Sequence, residues 1–402
     1  MTTRSYKLDM ENKIINLGIF GFGCVGQGLY EVLNRTKGIN ARIKKICIKD
    51  PNKSRPIDSS YFTTDKNEIL EDPTIDVVVE LINETDAAFE IVSTALRNGK
   101  AVVSASKRMI AENLASLYQL QAENKVPFLY EASSCASIPI IRNLEEYYDN
   151  DLLNAVEGIC NGSTNYILTK IFEENLSFDT ALKQAQELGF AETDPTLDIE
   201  GYDPKFKIVI LLLHAFGTFV KPEEVFNFGI HHLNDFDIQF AKQRNSTIKL
   251  IGHCRRNNGN VFAFVLPHLV KEHNLLYDVY NEYNGILLES AFTDKQFFVG
   301  KGAGGTATGS AVLSDISALL YNYRYEYKKI KQNNQPAFTN DVKLKIYLRY
   351  KTPDQVDLTE FFSIEEKYES AAWRYVVGTI NLQKLKDAAW LKNKDVNLLV
   401  LE

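Results

Sequence analysis

The chain has 402 residues, 45% hydrophobic and 24% charged, enough for two or three domains with sizeable cores. A net charge of -7 at pH 7 excludes a general nucleic-acid binder, which would be basic. Five scattered cysteines (Cys24, Cys47, Cys135, Cys160, Cys254) without a C-x-x-C pair fit a reducing, cytoplasmic setting and exclude a zinc ribbon or disulfide framework.

In chain order, the first thirteen residues carry no signal-peptide pattern. Residues 13–20 form an Ile-rich run expected to be a buried strand. Gly21-Phe22-Gly23-Cys24-Val25-Gly26 follows at once, then a helical stretch at 27–33 and a second strand at 41–48 ending in Lys49-Asp50. In this strand–turn–helix–strand setting, G-x-G-x-x-G is a dinucleotide-binding turn. Gly21 permits the tight turn, Gly23 lets the backbone approach a pyrophosphate, and Gly26 allows helix–strand packing. At the end of the second strand a carboxylate selects NAD and a cation selects NADP. Lys49, Lys53 and Arg55 against Asp50 favour NADP modestly, with NAD still open.

Strand and helix signals then alternate: strands at 75–81, 101–105 and 127–131, helices at 87–98 and 111–124. This pattern implies an α/β fold with a Rossmann-type, doubly wound parallel sheet over residues 1–150, with ligands beyond the C-terminal strand ends. Ser104-Ala105-Ser106-Lys107 and Glu131-Ala132-Ser133-Ser134-Cys135 sit at two such ends.

Residues 151–299 read as a mixed α/β domain, with the chain returning to the first domain near 300–330. Strands are expected at 153–160, 247–255 and 261–268, with helices at 162–173 and 179–188. Within it, Glu192, Asp194, Asp198, Glu200, Asp203, Lys205 and Lys207 fall inside sixteen residues, interrupted by Pro and Gly. So many charges among turn residues are expected to form no regular amphipathic element. They abut the apolar stretch 208–220, too short for a bilayer span and expected to be a buried helix. A polar cluster beside a core segment suits a small charged ligand, against the alternative of a solvated loop.

Taken together, these residues resemble homoserine dehydrogenase, from about residue 13 to 320. The resemblance runs through Gly21–Gly26, the stretches 99–107, 130–133, 138–141 and 158–168, the charged cluster, and Gly300-Lys301-Gly302-Ala303-Gly304. It implies reversible hydride transfer between L-homoserine and L-aspartate 4-semialdehyde, with NADP or NAD. By the same resemblance, Lys107 and Lys207 are catalytic, with Lys207 the usual proton donor. Glu192 and Asp203 hold the substrate, supported by Asp198. Lys107, Gly189 and Gly302 join the Gly21–Gly26 turn and Lys49 at the cofactor. Glu131 with the backbone carbonyls of Ser134, Ala136 and Ile138 resembles a site for a monovalent cation such as sodium. A homodimer or higher homo-oligomer, with dimerisation through the second domain, is also implied; the charge and the short apolar stretch argue separately against a nucleic-acid or membrane partner.

The chemistry supports these roles separately. A substrate ammonium calls for carboxylates. Alcohol oxidation needs a base, and a lysine serves near neutral pH only when burial or a neighbouring ammonium lowers its pKa. Lys107 and Lys207 facing each other across a cleft would supply that shift.

Three positions depart from the family pattern: Asn83-Glu84 for a Gly-Gly pair, Ser134-Cys135-Ala136-Ser137 for a glycine-rich turn, and Ala307-Thr308 for Pro-Thr. Cys135 allows a rival reading as an acyl nucleophile, as in aspartate-semialdehyde dehydrogenases, but no histidine motif supports it. A non-catalytic dinucleotide-binding regulator is a second alternative. After a polar linker at 331–339, residues 340–402 suggest strands at 343–350, 373–382 and 396–401 and a helix near 383–392. This tail holds the place of the family's ACT-type regulatory domain, in a reduced α+β form.

Overall fold

The computed structural model describes residues 14–332 and 335–401. The signal-peptide reading of the first thirteen residues, and positions 333–334 of the expected linker, lie outside them. The chain forms two compact units: residues through Asp149 with Lys301–Lys328, and Asn150–Gly300 with the chain from Lys329 onward.

The first unit alternates strand and helix as far as residue 146. Its elements are β1 (Ile15–Phe20), α1 (Cys24–Arg35), β2 (Ala41–Cys47), β3 (Phe62–Thr63), α2 (Asn67–Leu70), β4 (Val77–Glu80), α3 (Thr85–Arg97), β5 (Ala101–Ser104), α4 (Lys107–Asn124), β6 (Phe128–Leu129) and α5 (Ile140–Glu146). The six strands pair in parallel in the order β3-β2-β1-β4-β5-β6, a doubly wound sheet. β4 and β5 are buried along their whole length, as strands covered by helices on both faces must be.

In the second unit follow β7 (Leu153–Ile159), α6 (Gly162–Glu174), α7 (Phe178–Glu187), α8 (Thr196–Ile199), α9 (Tyr202–Phe216), β8 (Phe226–Asn227), α10 (Asp235–Gln243), β9 (Ser246–Asn257), β10 (Asn260–Lys271), β11 (Tyr283–Ser290) and β12 (Asp294–Lys301). α11 (Gly305–Leu319) then returns to the first unit and packs on α1. A Cβ at Gly28 would lie 1.9 Å from the Gly305 carbonyl oxygen, so the two backbones touch where no side chain fits.

The tail adds β13 (Lys343–Tyr350), β14 (Phe361–Glu369), β15 (Arg374–Asn381), α12 (Leu382–Asp387) and β16 (Asn397–Val400). Its strands extend the sheet of the second unit, in the order β12-β11-β7-β9-β10-β16-β13-β15-β14, with β8 also on β10. A buried ion pair holds the junction. Arg349 Nε lies 3.0 Å from Asp237 Oδ1, and Tyr347 Oη donates to the same oxygen at 2.9 Å. Burial pushes the Asp237 carboxyl upward against the pull of Arg349.

Three expectations are corrected. The charged cluster is half helical: α8 carries Asp198 and α9 carries Asp203, Lys205 and Lys207. Gly201, at φ +85, turns the chain between these helices, and Pro204 sits in the first turn of α9, where no backbone N–H is required. The buried helix ends at Phe216 rather than 220, because Gly217 takes a left-handed cap at φ +73. β14 escaped notice because this edge strand is largely exposed, so its charges mask strand periodicity.

Candidate active site

The glycine turn has the expected geometry. Gly21 has φ +96, and a Cβ there would sit 2.6 Å from the Leu81 carbonyl oxygen. A Cβ on Gly26 would meet the Gly21 carbonyl oxygen at 2.6 Å, whereas the corresponding space over Gly23 is open to 4 Å. The turn, the packing and the ligand approach thus fall to different glycines. Phe22 is buried against Tyr30 and Phe62, and Cys24 and Val25 open α1.

Sequence reasoning missed Glu80, which organises the neighbouring strand ends. Its fully buried carboxylate accepts from Ile82 N at 2.7 Å, Ser104 Oγ at 2.6 Å and Ser106 Oγ at 2.8 Å. Burial raises its pKa, and the three donors pull it back. This clamp joins β4 to the turn that presents Lys107, the first residue of α4. Neither Asn83 nor Glu84 needs a positive φ, so the absent Gly-Gly pair costs the loop nothing.

Beyond β2 lies a cavity of about 550 Å³ lined by Lys53, Arg55, Phe62 and neighbours. Lys49 is exposed and is not among its lining residues. Arg55 is folded back onto the carbonyls of Lys53 and Asp50, at 2.6 and 2.8 Å, and lies over the Phe62 ring. Its buried Nε has no partner among the described residues.

In the second unit three of the expected residues meet. Asp203 and Lys207 stand one helical turn apart on α9, both buried, with Lys207 Nζ donating to Asp203 Oδ2 at 2.8 Å and to the Cys160 carbonyl at 2.5 Å. Asn161 Nδ2 donates to Asp198 Oδ1 at 2.6 Å and to Asp203 Oδ2 at 2.8 Å. Asn161 was not foreseen. Its signal was an asparagine before Gly162-Ser163-Thr164 at a helix start, the pattern of an N-cap. Lys205, also on α9, is pushed down to about 8 by burial, with Glu223 opposing and Lys386 assisting. Its ammonium lies over the Tyr202 ring, so it owes its low value to burial and has no contact with Asp198 or Asp203 among the described residues.

Glu192 does not join this network among the described residues. It is exposed in the loop after α7, where its backbone carbonyl accepts from Gln186. Gly189, at φ +75, ends α7, and buried Gly302 precedes α11.

Glu131 is buried, with its two oxygens accepting from Ile141 N at 2.8 Å and Arg142 N at 2.9 Å. Burial first, and Asp315 second, push its pKa up to about 8. Asp315, also raised by burial, is paired with Arg142 at 2.6 Å. Two buried carboxylates thus meet around Arg142, Asp315 at its guanidinium and Glu131 at its backbone N–H. Ala136 takes the left-handed conformation at φ +41 that glycine would have supplied, and the Ser134 Oγ beside it is buried without a partner among the described residues. Among those residues no cluster of His, Cys, Asp and Glu could hold a metal. Any cation here would therefore rest on Glu131 and backbone oxygens such as those of Ser134, Ala136 and Ile138, a donor set suited to a hard ion. Cys135 is fully buried, the setting of a structural thiol rather than of an accessible acyl nucleophile.

A parallel sheet with this glycine turn, and in the second unit an amine buried among carboxylates, define an NAD(P)-dependent oxidoreductase. The family model for the NAD-binding domain of homoserine dehydrogenase matches residues 21–131, and that for homoserine dehydrogenase matches residues 139–317. A homoserine dehydrogenase of Bacillus subtilis is 36% identical over 78% of this chain and 74% of its own length. The structure of one from Thiobacillus denitrificans superposes with a TM-score of 0.85 at 29% identity, covering 97% of this chain and 98% of that one. An archaeal homoserine dehydrogenase mutant in complex with NADPH gives 0.66 at 25% identity, over 78% of this chain and 100% of its own. The chain belongs to the homoserine dehydrogenase family, NAD(P)-dependent enzymes of amino-acid biosynthesis. With the family established, the non-catalytic regulator falls away as a reading.

Proposed function

We propose that Lys207, once its ammonium has lost a proton to become the neutral amine, takes the hydroxyl proton when L-homoserine is oxidised to L-aspartate 4-semialdehyde and, as the ammonium, returns it in the reverse reaction. The observation that carries this is its buried contact with Asp203, which fixes the amine beside a carboxylate suited to the substrate's ammonium. Glu192 and Asp203 hold the substrate, Asp198 braces Asp203 through Asn161, and Lys107 is the second catalytic amine. A dinucleotide would be held by the Gly21–Gly26 turn with Gly189 and Gly302, and would supply the hydride chemistry.

NADP is the preferred cofactor. The cavity beyond β2 supports this through Lys53 and Arg55, which replace Lys49 as the chief 2′-phosphate contacts. The NADPH-bound archaeal relative agrees. A monovalent cation at Glu131 would offset the second buried carboxylate. The tail's sheet order β16-β13-β15-β14, with only short 3-10 turns between β13 and β14, supports a reduced ACT-like module. A cytoplasmic homodimer completes the reading; no helix among the described residues is long and apolar enough to cross a membrane.

Initial rates with homoserine and each cofactor test the reading. Glu192→Gln should raise the KM for homoserine about ten-fold or more, since a charge-assisted contact is worth about 1.5–3 kcal/mol. An unchanged KM would return Glu192 to the solvated surface.

A further inference from the structure

The Asn161 side chain satisfies two demands at once. Its Oδ1 accepts from Thr164 N at 2.8 Å and Thr164 Oγ1 at 2.9 Å, which caps α6. Its Nδ2 donates to Asp198 at 2.6 Å and Asp203 at 2.8 Å. The cap therefore fixes which way the amide faces: with the oxygen held by Thr164, the two N–H bonds point to the carboxylates, which can only accept. Asn161 is 4% exposed and clamped at both ends.

We propose that Asn161 is a positioning residue for the reaction. One amide nitrogen ties the carboxylate of α8 to that of α9 and so sets the direction in which Asp203 meets Lys207. This rests on the assignment of Lys207 as the proton-transfer residue. Two carboxylates of like charge in a buried place repel and would turn apart. The amide has one N–H for each, so it holds both without adding charge. Asp203 Oδ2 receives the amide and the Lys207 ammonium together, so a displaced amide would let that oxygen swing and take the lysine with it. The preceding residue reinforces the arrangement, because Lys207 also donates to the Cys160 carbonyl. The start of α6 thus supports the amine and its carboxylate partner from adjacent positions.

A helix cap alone would explain the Thr164 contacts but not the carboxylate contacts, and two substitutions separate the roles. Asn161→Asp and Asn161→Ser both retain an oxygen able to cap a helix, and both remove the amide N–H groups. Steady-state kinetics with homoserine, thermal melting and NADPH affinity are measured on each. The expected result is a kcat lower by about ten-fold or more in both variants, as for a small misplacement of a catalytic group. The KM for homoserine should rise by less than the kcat falls, because Asp203 is displaced while Glu192 still meets the ammonium. Melting temperature should fall more in Asn161→Asp, which adds a third carboxylate beside Asp198 and Asp203, than in Asn161→Ser, while NADPH affinity stays near that of the unmodified enzyme in both. A kcat within two-fold of unmodified in both variants would overturn the proposal and leave Asn161 a cap. If the unmodified enzyme shows no homoserine-dependent reduction of NADP or NAD, the functional assignment itself fails, a result distinct from matched rates.

Discussion

Replacing Lys207 should damage stability and catalysis by separable amounts. The residue is 6% exposed, and its ammonium neutralises Asp203, which is 5% exposed. Lys207→Met keeps most of the volume but removes the cation from a buried carboxylate, which costs about 3–5 kcal/mol of folding stability. It also removes the proton acceptor, a role worth about 10²–10⁴ in rate, or about 3–5 kcal/mol of barrier. Lys207→Arg divides the two effects. A guanidinium keeps the ion pair but stays protonated at any practical pH, so stability should largely survive while turnover falls by about a hundred-fold or more. Urea denaturation of both variants, with kcat for homoserine oxidation at saturating cofactor, reads the two quantities. If the Arg variant turns over within ten-fold of the unmodified enzyme, Lys207 is a structural counterion and the proton moves elsewhere.

Arg55→Leu should raise the KM for NADP about ten-fold and that for NAD much less. Lys49→Glu should have the smaller effect, since Lys49 does not line the cavity; the reverse ranking in a kcat/KM comparison would restore Lys49 as the phosphate contact. Glu131 gives a pH prediction. Its folded value of about 8 lies above the ordinary 4.5, so the unfolded chain ionises first and stability falls as pH rises between those values. A cation bound to the ionised form should relieve this, so sodium should raise the melting temperature more at pH 8 than at pH 6. An equal shift at both, with tetramethylammonium as control, would count against the site. Arg349→Met should cost about 3–5 kcal/mol by stranding buried Asp237, with the kcat of the folded enzyme nearly unchanged; a wild-type melting curve would show that the tail does not depend on this pair.

How much of this was legible in the sequence differs from element to element. The parallel sheet and its turn were readable because strand, glycine spacing and helix are local, and Gly21 and Gly26 answer to steric limits within a short span of chain. Asp203 and Lys207 stood four residues apart, although their pairing depended on a helix that the surrounding Pro and Gly argued against. The resemblance offered candidates for the site, with Asp198 in support, but did not single out Asn161, which ties Asp198 to Asp203.

Tertiary structure decided the rest, because the partners are distant in sequence. Asn161 reaches carboxylates 37 and 42 positions away, and Glu131 meets Asp315 across 184. Whether a carboxylate is charged also depends on what the fold packs around it. Burial lifts Glu131 to about 8, while Asp194, exposed and accepting from Thr196, is held below its ordinary value. Composition and spacing determine which groups are available. Only the packed chain sets their desolvation and brings an amide, two carboxylates and an amine into one hydrogen-bonded set.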